Sequence, residues 1–241
     1  MLAATEGIVL HHIKYGESSV IATIFTQEFG RQSYMVNASR SRQAKNKAGL
    51  LQPLFLLDLE VYQKQSREIQ RIKELKSLNT YQNIPFDVAK STQAIFLAEM
   101  LYKTIHEQES YPELYDFIKS ALLYFDLMET GWQNFHIYFL FRLTEYFGFL
   151  PDTQKLSFEA WFDLKKGALV PYEPSHPLFA NKEITKKIVE LSVLKISELE
   201  TFKVSRSLRD SLLQTLVDYY QLHFESLGEI KSLNVLRDVF Q

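Results

Sequence analysis

Between Phe55 and Tyr62 the chain alternates strictly: Phe55, Leu57, Leu59 and Val61 are interleaved with Leu56, Asp58, Glu60 and Tyr62. A period of two is the signature of a strand that buries one face, here leaving two carboxylates near the rim of the other. Neighbouring segments read the same way. Val20 to Phe25 is β-branched and apolar and ends at a Phe29-Gly30-Arg31 turn, and Ile69 to Leu78 forms a last strand with Arg71 and Lys73 on a common face. About five short strands before Asn79 call for a small closed barrel; an OB-fold and an SH3-like barrel fit the pattern equally.

Past Asn79 the periodicity becomes helical. Pro85 can open a helix with Ile95, Ala98, Leu101 and Ile105 on one face. Ser110 and Glu113 form a capping-box pattern around Pro112, and the helix that follows carries Leu114, Phe117, Ile118, Ala121, Leu122 and Phe125 on one stripe. Trp132 to Phe147 reads as an aromatic helix stopped by Gly148 and Pro151, and Ser207 with Asp210 caps a long one that Gly228 can end. Residues 151–181 hold four of the seven prolines and read as an irregular, cysteine-free insert. The expected class is α+β: a five-stranded barrel over 1–79, then an all-α bundle over 80–241.

Charge is unevenly spread. The chain carries a net −2, but residues 1–79 carry +4 and the remainder −6. No acid falls between Glu28 and Asp58, a stretch holding Arg31, Arg40, Arg42, Lys45 and Lys47. Phosphates need cations on a surface free of competing carboxylates, and an extended chain points Arg40 and Arg42 the same way, as it does Lys45 and Lys47. Lys64, Arg67, Arg71 and Lys73 extend the basic track, diluted by Glu68 and Glu74. The bland readings are a solvated loop and a mixed charged hairpin. Tyr34 and Tyr62 could stack on unpaired bases, although strand tyrosines are more often half-buried core.

Other chemistry is sparse. Zero cysteines exclude disulfides and thiolate metal sites. Adjacent His11 and His12 face opposite sides of a strand and cannot chelate together. Arg206 and Arg209 suggest a salt bridge within the bundle. Nucleotide-binding Gly-rich loops, GxSxG and HExxH are missing, so a non-catalytic role is expected; the rival is a metal-dependent nuclease using Asp58 and Glu60. No apolar run approaches the roughly 18 residues that span a bilayer, and MLAATEGIVL has no secretion-signal pattern, so a cytoplasmic location is expected.

The order of four pieces resembles the amino-terminal domain of the RecO family: GIVL at the start, YGESS in the first turn, TIFTQEFGR at the second, and LLQPLFLLDLEVY in a later strand. LHFESLGEIKSLNVL resembles the family's C-terminal stretch. The resemblance implies an OB-fold that binds single- and double-stranded DNA. It also implies a cytoplasmic, nucleoid-associated protein that anneals strands coated by single-stranded DNA-binding protein and, with RecR, helps load RecA. The tail of the single-strand binding protein would dock in the helical body, with Leu101, Lys103 and Lys119 as candidates. Many relatives hold zinc through four cysteines in the insert; with none here, and with Asp163, Glu173 and His176 badly spaced, no metal or cofactor is expected. A different OB-fold binder, for RNA or ribosomal targets, is the alternative.

Overall fold

The computed structural model describes residues 1–16, 19–37, 49–64, 66–106, 108–153 and 160–240. By packing, the chain divides into Met1–Leu127 and Met128–Gln241.

The first unit opens with five strands: β1 (Leu2–Tyr15), β2 (Ser19–Thr26), β3 (Gly30–Asn37), β4 (Leu56–Tyr62) and β5 (Ile69–Ser77). They close into a barrel in the order β1-β2-β3-β5-β4, with β4 returning to β1. Only β3 and β5 run parallel; the other pairings are antiparallel. This five-stranded Greek-key closure is an OB-fold. Val9, Ala22, Ile24, Tyr34, Val36, Leu57, Leu59 and Val61 fill the interior. Each large apolar side chain so removed from water stabilises the barrel by ~1.5–3 kcal/mol. Gly7 lies between β2 and β4, where a Cβ would come 2.6 Å from Ile24 and 2.9 Å from Leu59, so only glycine admits so close an approach.

Two helices complete this unit, α1 (Val88–Thr104) and α2 (Pro112–Leu127). Asp87, rather than Pro85, starts α1, because its carboxylate accepts the Ala89 and Lys90 N–H groups. The buried ridge of α1 runs through Gln93, Leu97, Met100, Leu101 and Thr104, leaving Ile95 exposed, so the predicted apolar face is rotated. Around the end of α2, the Asp126 carboxylate accepts the N–H groups of Gln82, Asn83 and Ile84, and buried Lys90 donates to the carbonyls of Phe125 and Asp126. Burial pulls the Lys90 pKa down, against the opposing pull of Asp126 and Asp87.

The second unit contains α3 (Phe135–Tyr146), α4 (Lys182–Val193), α5 (Arg206–His223) and α6 (Lys231–Val239). Ser205, not Ser207, caps α5 by accepting the Leu208 N–H. The insert is more regular than its prolines suggest. Residues Trp161–Asp163 (β6), Ala168–Val170 (β7) and Phe179–Ala180 (β8) form an antiparallel sheet in the order β7-β6-β8. Its anchor is aromatic: Phe162 packs edge-on to Tyr219, whose hydroxyl donates to the Phe149 carbonyl. Among the described residues, no helix is long and apolar enough to cross a membrane.

Candidate nucleic-acid interface

The loop joining β4 to β5 is built around one amide. Gln70 is buried; its Oε1 accepts the Lys64 N–H at 2.9 Å, while its Nε2 donates to the carbonyls of Lys64 at 2.8 Å and Arg67 at 2.7 Å. The Arg67 N–H closes the turn onto the Lys64 carbonyl at 3.1 Å. With its backbone satisfied internally, the loop presents the exposed side chains of Lys64 and Arg67. Arg71 follows on β5, and Lys14 lies at the end of β1, beside the turn that begins at Gly16 (φ +64°). The side chains of Lys14, Lys64, Arg67 and Arg71 make no hydrogen bond or ion pair among the described residues. Sequence reasoning passed over Lys14 and Gln70. For Lys14 the signal was its position beside a Gly turn; a lone glutamine in a polar loop gives none.

The remaining predicted cations divide sharply. Arg31 turns toward the helices: its Nη1 donates to the carbonyls of Tyr102 at 2.6 Å and Ile105 at 2.5 Å, and its guanidinium lies 4.6 Å from the Tyr102 ring centroid. It therefore satisfies carbonyls left open at the end of α1, where a cation also complements the helix dipole. Lys73 is exposed but bonded to Glu60 at 3.0 Å, which raises its pKa. Arg40, Arg42, Lys45 and Lys47 lie outside the described residues. Of the two tyrosines, Tyr34 is fully buried with its pKa pushed up by desolvation, and it cannot stack on a base; Tyr62 is 45% exposed.

The residues considered for partner binding sit as follows. Leu101 is fully buried in α1, a core position rather than a docking surface. Lys103 pairs with Glu99 one turn back at 3.4 Å. Lys119 bonds Glu6 at 2.5 Å, and the Tyr115 hydroxyl donates to the same carboxylate at 3.4 Å, tying α2 to β1.

Asp58 and Glu60 do not converge on a cation site. Asp58 is the register partner of Lys76, Glu60 is held by Lys73, and no group of three His, Asp or Glu side chains suited to a metal occurs among the described residues. In the insert, the Asp163 carboxylate accepts the Lys165 and Lys166 N–H groups, lies 3.3 Å from His176 Nε2 and has the Lys166 ammonium at 3.9 Å. Two donors beside an ammonium do not fit zinc, which needs four ligands and no competing positive charge.

A cleft of about 810 Å³ opens within the second unit, lined by Gly131, Asn134, Phe202, Lys203, Ser205 and Arg209 among others. Arg209 Nε donates to Asn134 Oδ1 at 3.0 Å and its guanidinium sits 5.8 Å from the Phe240 ring centroid. The expected salt bridge is not formed: neither Arg206 nor Arg209 reaches a carboxylate within ion-pair distance among the described residues. Burial lowers the Arg209 pKa.

The architecture defines a class, an OB-fold barrel followed by a helical unit. Comparison with known proteins is specific. The family described as Recombination protein O N terminal matches residues 1–81, and that described as Recombination protein O C terminal matches residues 85–158. The chain is 34% identical to a protein named DNA repair protein RecO from Phocaeicola vulgatus, 32% identical to one from Bacteroides fragilis and 33% identical to one from Flavobacterium psychrophilum. Each match covers 100% of both chains. The chain belongs to the RecO family of DNA repair and recombination proteins.

Proposed function

We propose that this chain is a recombination mediator that binds single- and double-stranded DNA through the open end of its barrel and anneals complementary strands coated by single-stranded DNA-binding protein. The observation that carries the reading is the set of four cations there, Lys14, Lys64, Arg67 and Arg71, none of them neutralised among the described residues. In OB-folds the β1–β2 and β4–β5 loops are the usual oligonucleotide contacts, and three of these four cations lie in or beside those loops. Bound cations lower the mutual repulsion of two strands while leaving base edges free to pair. Arg40, Arg42, Lys45 and Lys47 would add to this charge.

The cleft beside Arg209 suits the acidic, apolar-ended tail of a single-strand binding protein: Lys203 and Arg209 offer charge, Phe202 and Val204 apolar surface. Docking there would raise the local concentration of the barrel at coated strands. RecR as partner and RecA loading as outcome follow from family membership, as do a non-catalytic role and a cytoplasmic, nucleoid-associated location.

The test is annealing of complementary oligonucleotides coated with the cognate single-strand binding protein, with and without this chain. Acceleration is expected. Normal DNA binding without acceleration would contradict the mediator role, and stronger binding to RNA of the same length would redirect the barrel to another target.

A further inference from the structure

We infer that the open end of the barrel selects unpaired nucleotides, laying bases on an apolar belt and phosphates on the cations that border it. This rests on the nucleic-acid reading above and adds the form of nucleic acid the site prefers.

The belt follows from register. Ile13 on β1 is the partner of Ile21 on β2, and Ile21 of Met35 on β3. Met35 is the partner of Arg71 on β5, Arg71 of Tyr62 on β4, and Tyr62 of Leu2 on β1. One row of directly paired positions thus runs around the barrel. All six are partly or fully exposed, Ile13 at 50% and Tyr62 at 45%, whereas the next residues along, Val20, Val36, Val61 and Gln70, are buried. Strand alternation makes this an outward row. A contiguous apolar stripe on an outer barrel face marks a binding surface.

Its occupant is indicated by charge. Arg71 interrupts the row itself, while Lys14, Lys64 and Arg67 lie at its strand ends and loop without a side-chain partner among the described residues. Apolar and aromatic surface bordered by free cations matches an unpaired strand, whose bases have open faces and whose phosphates carry charge. A duplex offers phosphates to the same cations but keeps its base faces stacked inside, so the belt would contribute to single-strand binding alone.

The experiment measures anisotropy of labelled DNA of about 20 nucleotides, single-stranded and as a duplex, with the full chain and with Tyr62→Ala, Tyr62→Phe and Ile13→Ser. Tyr62→Ala should weaken single-strand binding about tenfold and duplex binding less than about twofold, with Tyr62→Phe close to the parent and Ile13→Ser showing the same selectivity at smaller size. Equal loss on both forms, or none on either, would overturn the belt's role, the latter pointing to a protein-facing surface. Lys64→Glu with Arg67→Glu separates the two levels. If it weakens both forms while Tyr62→Ala weakens neither, the nucleic-acid reading stands and the selection inference fails; if the parent chain binds neither form, both fail.

Discussion

The barrel presents two regions with opposite uses for positive charge. Where α1 and α2 pack on it, cations are consumed: Arg31 caps the carbonyls at the end of α1, Lys119 holds Glu6, and buried Lys90 donates to the end of α2. At the open end, Lys14, Lys64, Arg67 and Arg71 extend from satisfied backbone with no partner of their own among the described residues. A count of Lys and Arg cannot separate these groups. Only the engaged cations hold the fold together, and only the free ones have charge to offer a phosphate.

The comparison breaks most easily at Arg31. Arg31→Ala removes two charge-assisted hydrogen bonds and should lower unfolding free energy by about 3 kcal/mol, read from urea denaturation. Gln70→Ala sharpens it, because it leaves the Lys64 N–H and the carbonyls of Lys64 and Arg67 unserved. A loss of about 1–2 kcal/mol is expected, together with weaker DNA binding from a loosened loop. Lys64→Ala with Arg67→Ala should leave stability within about 0.5 kcal/mol while flattening the salt slope of single-strand binding by about 1.4, or roughly 0.7 per lost phosphate contact. Lys14→Ala is the smallest, a slope change of about 0.7 with no change in denaturation midpoint.

Much of this was legible in the sequence. The alternation from Phe55 to Val61 and the turn at Gly30 yield β4 and the β2–β3 hairpin, since strand pattern and turn chemistry are local. Tyr34 shares strand parity with Val36, which already assigned it to the interior. Arg31 was misread for a different reason: the carbonyls it serves are 71 and 74 residues away, beyond the reach of any local pattern. In the insert, β6, β7 and β8 span two or three residues each, too short for a period to register. Helix α4 carried a readable stripe, Ile184, Ile188 and Leu191 behind the Asn181 cap, hidden by the prolines just before it. The belt depends on register across five strands, which the sequence does not state.

The central claim, that free and engaged cations have different work, is tested most directly by one charge removed from each region. Single-strand DNA affinity against salt and urea midpoint would be measured for Arg31→Gln and Arg71→Gln. Arg71→Gln should flatten the slope by about 0.7 and leave the midpoint in place, while Arg31→Gln lowers the midpoint and leaves the slope unchanged. A flattened slope for Arg31→Gln with none for Arg71→Gln would contradict the account and move the DNA contact to the helix-packed side.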